Sequence, residues 1–232
     1  MDTSTPALPP GQRRVDGFPR FGTHLHQPPP AVPDDPSLAV GGEVTEPLSL
    51  TPADLGALPR TEITADLHCV AGWSATGLRW GGVAFPTFHR EVLEPAVRPG
   101  VAITHLVFEG LDGYRSIVEL RDVLADDVLL ADRLDGEPLT PDHGAPLRLV
   151  SPQQYGFVST KHLCRIELHT EDPGGRYHPS PLIHWGLQLV KPHRRARVWN
   201  EERHRFVPGR LIRPVYHRLV PPIRKLSART SR

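Results

Sequence analysis

Short segments separated by proline and glycine turns determine what this chain can fold into. The 232 residues include 27 prolines and 20 glycines, and no helical periodicity extends beyond about three turns. Apolar and β-branched runs such as VAITHLVFE (101–109) are instead typical of strands. Asp135-Gly136, placed between two apolar runs, predicts a tight hairpin. The sequence therefore predicts one strand-dominated α+β domain of mixed sheets, with short helices and long loops.

Cys69 ends the most informative of these segments. In TEITADLHC (61–69), every second residue is apolar up to Cys69, which predicts a strand with one buried face. We expect the following residues, WSATGLRWGG (73–82), to form a loop. Cys164 is the only other cysteine, so a disulfide framework and a four-cysteine zinc site are both excluded. From the residues alone, Cys69 is either inert packing or a single thiolate that acts as a ligand or nucleophile.

The two ends of the chain differ from its body. Residues 1–36 are rich in proline, and we expect an extended arm that is ordered only where it packs on something. Residues 191–232 carry 13 Lys/Arg and 2 Asp/Glu, whereas the rest of the chain is acidic. Pro214, Pro221 and Pro222 predict that this basic tail contains no long helix. We expect the tail to wrap the acidic body or to dock a redox partner; binding to nucleic acid or anionic lipid is the less favoured alternative.

Targeting signals are weak in this sequence. The Arg13-Arg14 pair is not followed by an apolar stretch, so it is not typical of a secretion signal. No run reaches the roughly 18 apolar residues that a membrane span requires. Together with the low cysteine content, this predicts a cytoplasmic protein.

Several blocks, in a fixed order, resemble one known family. CVAGWS (69–74), RWGGV (79–83) and FEGLDGY (108–114) precede GEPL, HG.PLRL and YG..S.K within residues 136–161. Over about residues 18–170 the chain resembles the molybdopterin-binding domain of the sulfite oxidase superfamily. The closer resemblance is to bacterial sulfite-oxidase-like and methionine-sulfoxide-reductase catalytic subunits. It implies a sulfite-oxidase-type molybdopterin-binding fold, with an N-terminal arm (1–36) on the cofactor and a binding domain (37–190). The basic tail (191–232) does not match the family.

The resemblance implies a molybdenum cofactor, Mo-molybdopterin, with Cys69 as the protein's sulfur ligand to the metal. A soft thiolate suits a molybdenum ion that is also held by dithiolene sulfurs. Cys164 corresponds to a non-ligand position, which predicts a small core residue. Tyr114 aligns with the tyrosine that lies beside the metal in sulfite oxidases, although an ordinary amphipathic tyrosine at a strand end remains the alternative.

The resemblance also implies which residues contact the pterin and its phosphate. Cations and N–H donors are the groups that bind phosphate. For Arg148 or Lys161 taken alone, a solvated surface charge would be the alternative. The closest reductase relatives tend to carry Asn at the position of His143. In chain order, the implied contacts are Arg20, Thr23, His24, Gly110, His143, Arg148, Ser159, Thr160 and Lys161.

Two positions depart from the pattern of true sulfite oxidases. Those enzymes bind their dianionic substrate with arginines at the positions of Gly22 and Ser74. Without such partners, a sulfite dianion that leaves water would gain no charge-assisted hydrogen bonds to offset the loss of its hydration. The sequence therefore predicts oxygen-atom transfer to or from another small molecule, with an S-oxide or N-oxide as candidates.

We expect electrons to be exchanged with a separate carrier protein that holds a flavin, haem or iron–sulfur group, because no haem module is recognisable in the sequence. A non-catalytic module that carries the cofactor or binds a partner through the basic tail is the alternative from another class.

Overall fold

The computed structural model describes residues 7–20, 28–174 and 191–230, and two mixed sheets organise them. The first sheet is centred on the long strand β5 (Trp73–Ala84), which pairs antiparallel with β4 (Arg60–His68) and β8 (Leu129–Leu134). The short strand β1 (Arg13–Arg14) adds to β5 in parallel. Strands β9 (Glu137–Pro138) and β10 (Arg148–Val150) both pair antiparallel with β8.

The second sheet has the order β3-β2-β11-β6-β7. Strand β11 pairs parallel with β2, and the remaining neighbours are antiparallel. The strands are β2 (Leu38–Gly42), β3 (Leu48–Leu50), β6 (His105–Gly110), β7 (Arg115–Glu119) and β11 (Leu163–His169).

Helices in the body are short. Helix α1 (Pro52–Gly56) begins at a capping box in which Thr51 and Asp54 exchange hydrogen bonds, as expected from a threonine followed by proline. A second helical stretch consists of α2 (Phe85–Phe88), a π-helical turn (His89–Leu93) and α3 (Glu94–Ala96). The others are α4 (Leu120–Val123), a 3₁₀ turn (Pro141–His143) and α5 (Gly209–Thr230).

Strand β8 explains why the core has two parts. Leu130 packs into a cluster shared with strands of the second sheet, whereas Leu129 and Ala131 pack into a cluster on the opposite face. The alternation follows from the period of two in a strand. The first sheet is therefore buried on both faces, and the outer cluster is where Phe18, Cys69 and Tyr216 pack.

The predicted fold class is confirmed, and so is the hairpin. Asp135 and Gly136 have φ angles of 54° and 87° between β8 and β9. This left-handed backbone is the one that an Asp-Gly turn adopts readily.

The expectation that residues 73–82 form a loop is wrong. They belong to β5, with Trp73 and Trp80 almost completely buried in the outer cluster. The Gly81-Gly82 pair marks a close approach of strands rather than a turn, because a Cβ on Gly82 would lie 2.0 Å from the carbonyl oxygen of Leu130. The true loop is only residues 69–72.

Strand limits and the face pattern also differ from expectation. Strand β6 begins at His105 rather than at Val101, and residue 118 belongs to β7 rather than to a helix. A β-bulge between Ala65 and Leu67 interrupts the alternation in β4. As a result Leu67 and His68 are both buried, although neighbouring strand residues ordinarily point to opposite faces.

The expectation that proline prevents a long helix in the tail is also wrong. Helix α5 contains Pro214, Pro221 and Pro222. Each costs about 3 kcal/mol in a helix interior, and tertiary contacts offset that cost over the first turns, where Arg213 binds Glu201 and Tyr216 binds His204. Within the described residues, no helix is long and apolar enough to cross a membrane.

Candidate functional site

Cys69 opens the four-residue loop between β4 and β5. Its N–H donates to the carbonyl of Trp73 (2.8 Å), and its own carbonyl accepts the N–H of Gly72 (2.9 Å). Gln12, from the N-terminal segment, donates its side-chain amide to the same carbonyl (3.1 Å). The backbone that carries the thiol is therefore held from three sides, which fixes where the sulfur points.

Positive charge surrounds the Cys69 thiol. Burial raises its pKa to about 12, and this effect is opposed by the N–H of Ala71 and by the cationic Arg203 and Lys161. At neutral pH this thiol is therefore protonated, and a protonated thiol is a poor nucleophile. A cation bound at the sulfur would reverse this, because a coordinating thiol loses its proton.

A chain of hydrogen-bonded polar side chains lies next to the loop that carries Cys69. Ser74 donates its hydroxyl to Gln12 (3.1 Å) and shares a hydrogen bond with Nδ1 of His68 (2.8 Å). Burial lowers the pKa of His68, which keeps the ring neutral. Ser74 thus acts inside the protein, and no cation stands at its position.

Four of the predicted phosphate contacts do come together. Burial lowers the pKa of Lys161 to about 7, and the nearby positive charges of Arg148 and Arg20 lower it in the same direction. The Lys161 ammonium donates to the carbonyl of Asp142 (2.7 Å), and His143 follows in the same 3₁₀ turn. Arg20 reaches the Asp142 carboxylate at 3.9 Å.

Arg148 is the most deeply buried of these cations, at 1% exposure. Its guanidinium donates to the carbonyl of His143 (2.8 Å) and lies over the indole ring of Trp80, 4.9 Å from the ring centroid. Burial lowers its pKa to about 9. Among the described residues, neither Arg148 nor Lys161 forms a salt bridge with a carboxylate.

The N-terminal arm covers this cation cluster. The Phe18 ring stacks on His143 with centroids 4.6 Å apart, and Nε2 of His143 bonds to the Phe18 carbonyl (3.0 Å). Burial lowers the pKa of His143, so its ring is neutral and tied to the arm. The arm thereby joins the site directly.

The donor set suits a bound phosphate. Arg148 and Lys161 are buried without a carboxylate salt bridge among the described residues, whereas the Asp142 carboxylate lies beside Arg20. A bound dianion would give these two cations charge-assisted hydrogen bonds. Lys161 acts electrostatically on Cys69 and also belongs to the cation cluster. The Arg148 guanidinium lies over the rings of Phe18 and Trp80, which pack with Cys69 on the outer cluster, so the cations and the thiol border the same part of the protein.

The remaining predicted contacts have mainly internal partners. The Ser159 hydroxyl accepts the N–H of Ser151 (3.1 Å), and the Thr160 hydroxyl bonds to Ser116 (2.7 Å). A Cβ on Gly110 would lie 2.4 Å from the Lys161 carbonyl oxygen, so this glycine permits close packing behind the cluster.

Tyr114 donates its hydroxyl to the carbonyl of Phe157 (2.6 Å). Thr23 and His24 lie outside the described residues, and so does Gly22. Cofactor contact by all of these residues stays a prediction.

Sequence reasoning missed the contribution of the C-terminal segment. Arg203 is fully buried and donates to the carbonyl of Val70, next to Cys69. Tyr216 packs on the same outer cluster as Cys69. The basic composition of the tail favoured a surface role, and no local pattern distinguished Arg203 from the surrounding arginines.

A cluster of buried cations on a mixed-sheet scaffold is typical of a protein that binds an anionic cofactor. The chain belongs to the oxidoreductase molybdopterin binding domain family, whose model matches residues 24–177. Molybdopterin carrying molybdenum is the cofactor of this family, and the protein is a molybdenum-dependent oxidoreductase.

Named relatives support the family. The uncharacterized oxidoreductase YuiH of Bacillus subtilis (strain 168) is 37% identical over 141 residues, covering 60% of this chain and 68% of its own. The MsrP catalytic subunit of a protein-methionine-sulfoxide reductase from Xanthomonas axonopodis pv. citri (strain 306) is 29% identical over 189 residues, covering 75% and 57%. Sulfite oxidase of Gallus gallus is 31% identical over 201 residues, covering 71% and 43%.

A solved structure supports the fold. The sulfane dehydrogenase SoxCD from Paracoccus pantotrophus matches with a TM-score of 0.56 and 25% identity, over 65% of this chain and 42% of that chain. Apart from YuiH, these relatives are matched over about half of their own length.

Proposed function

We propose that this protein catalyses oxygen-atom transfer on a small S-oxide or N-oxide, with Cys69 as the protein's ligand to molybdenum. The observation that carries the proposal is that the buried cation cluster and the Cys69 thiol meet at the outer cluster. The Arg148 guanidinium lies over the rings of Phe18 and Trp80, which pack there together with Cys69. One cofactor, with phosphate at one end and metal at the other, accounts for both features. The name of the MsrP relative adds support for an S-oxide.

The cofactor supplies a two-electron redox centre that accepts or gives an oxygen atom, and the protein supplies the surroundings. Arg148, Lys161 and Arg20 would hold the phosphate. Cys69 would bind the metal on a loop that three hydrogen bonds keep in place. Phe18, stacked on His143, would exclude water from the phosphate end.

A neutral substrate suits the side chains around Cys69 better than sulfite does. Ser74 is engaged with His68 and Gln12. Arg203 donates to the carbonyls of Val70, Pro10 and Gly11 and pairs with Glu201. A dianion at Cys69 would have to break these contacts to gain a charged partner.

Electrons would be exchanged with a separate carrier protein that docks on helix α5. The outer face of α5 exposes Leu211, Val215 and Leu219 at the spacing of one helical stripe, flanked by exposed basic residues. Such a surface fits an acidic carrier whose affinity falls with salt. A cytoplasmic location is part of the proposal, and cell fractionation tests it.

The deciding experiment is expression in a host that makes the cofactor. Molybdenum is measured by mass spectrometry and pterin by the fluorescence of its oxidised form. Dimethyl sulfoxide, methionine sulfoxide, trimethylamine N-oxide and sulfite are then assayed with artificial electron donors and acceptors. We expect one molybdenum per chain and turnover of an oxide but not of sulfite. Purified protein without molybdenum would contradict the enzyme proposal, and rapid sulfite oxidation would contradict the substrate.

A further inference from the structure

The C-terminal segment is part of the Cys69 site although it lies beyond the family match, which ends at residue 177. Arg203 links the two ends of the chain to the loop that carries the thiol. Its guanidinium donates to Val70 in the loop, and to Pro10 and Gly11 of the N-terminal segment at 3.3 Å each. The Arg203 side chain, which is 0% exposed, thereby holds the tail in contact with the site.

Helix α5 touches the same loop. A Cβ on Gly72 would lie 3.1 Å from Nε2 of His217, which leaves no space between the helix and the loop at this point. Glu201 holds the helix in place, because its carboxylate accepts hydrogen bonds from both Arg203 and Arg213. This ion-pair network is partly buried and joins the helix to the clamp formed by Arg203.

Tyr216 of α5 packs against the same outer cluster as Cys69. Its hydroxyl bonds to Nε2 of His204 at 2.5 Å. The two rings are stacked, with centroids 5.6 Å apart. His204 is buried and sits directly after Arg203, so the orientation of the phenol is fixed by the same clamp.

We propose that the C-terminal segment forms a wall beside the loop that carries Cys69 and that Tyr216, positioned by His204, binds the oxygen of the S-oxide or N-oxide substrate. The inference rests on the proposed function for the identity of the substrate, and on packing alone for the wall.

The chemistry of the phenol fits this role. The phenol carries one proton and can also accept a hydrogen bond. With Nε2–H of His204 donating to the phenol oxygen, the neutral O–H is left to donate to the substrate. A neutral O–H donor suits the oxygen of an uncharged oxide, whereas a dianion would require cations.

The wall is tested on cofactor-free protein through the alkylation rate of Cys69, followed by peptide mass spectrometry so that Cys164 is counted separately. Tyr216→Ala should raise the rate at Cys69 severalfold. Phe206→Ala, which removes an exposed aromatic ring from the same segment, should leave the rate at the wild-type value. Equal rates in wild type and Tyr216→Ala would overturn the wall, whatever the reaction of the enzyme.

The substrate contact is tested on molybdenum-loaded protein with Tyr216→Phe, which removes only the hydroxyl. We expect KM for the oxide to rise about fivefold, the fold-change of one ordinary hydrogen bond, with kcat little changed. His204→Ala should shift KM in the same direction, and His204→Gln, which can still bond the phenol, should restore it. A wild-type KM in Tyr216→Phe at unchanged molybdenum content overturns the contact. Loss of molybdenum from the wild type overturns the proposed function instead.

Discussion

The guanidinium of Arg203 donates a hydrogen bond to the carbonyl of Val70, the residue that follows Cys69. The two residues are 133 positions apart in the chain. Through this contact a segment outside the family match holds the loop that carries the candidate metal ligand. The Cys69 site therefore combines the family domain with a segment that lies beyond the family match.

Replacing the Cys69 thiol tests its role as metal ligand separately from pterin binding by the cation cluster. Cys69→Ser should retain the pterin, because the cation cluster is intact, but lose oxygen-atom transfer by at least about a hundredfold, since a hydroxyl is a poor ligand for a soft site. Cys164→Ser is the matched control and should keep wild-type turnover. Pterin fluorescence and turnover measure the outcome; unchanged turnover in Cys69→Ser would show that the ligand is another residue.

Removing Arg148, the most buried cation of the cluster, should weaken cofactor binding without unfolding the protein. Arg148→Met keeps the apolar contacts with Trp80 and removes a buried charge, so cofactor-free stability should be equal or higher by about 1 kcal/mol. Cofactor content should fall at least about tenfold, because a charge-assisted hydrogen bond to phosphate is lost. Arg79→Met, which removes an exposed arginine, is the control. Full cofactor content in Arg148→Met would contradict phosphate binding at this position.

Lys161 should make the stability of the cofactor-free protein depend on pH. Its pKa falls from 10.5 to about 7 on folding. Between these values the unfolded chain binds more protons at this site, so the free energy of unfolding rises with pH. Lys161→Met should be more stable than wild type at pH 6, by on the order of 2 kcal/mol, with the difference shrinking towards pH 10. Urea denaturation at several pH values measures this, and parallel profiles would refute it.

The close strand approach at Gly82 gives a prediction independent of the cofactor. Gly82→Ala should cost about 3 kcal/mol, because the new Cβ would collide with the Leu130 backbone. Gly41→Ala, in strand β2 with no atom within 4 Å of its Cβ, should change stability by less than about 1 kcal/mol. Thermal unfolding of both variants provides the comparison. Equal melting temperatures would show that β5 and β8 can separate locally.

Local signals in the sequence predicted much of the fold. The Asp135-Gly136 hairpin and the Thr51 capping box were predictable because each depends on a few neighbouring residues. The glycines of β5 were misread as a turn, since close packing against Leu130 is a tertiary property. The prolines of α5 misled for a related reason, because the contacts that outweigh them lie elsewhere in the chain.

The candidate site divides in the same way. His143, Arg148 and Lys161 were predicted together, since the resemblance placed all three in one short block. Arg203 and Tyr216 were not, because their importance depends on where a basic tail folds back. The acceptors of the Arg203 hydrogen bonds are backbone carbonyls, and no sequence pattern identifies them.

The bonds from Arg203 to Pro10 and Gly11 join residues 193 and 192 positions apart, nearly the two ends of the chain. Closing a loop of that length carries an entropic cost, and contacts of such separation form late in folding. We therefore expect both sheets to assemble before the termini meet over Cys69. Until these segments meet, the site at Cys69 is open to solvent. A bulky cofactor can therefore enter before the chain covers the site.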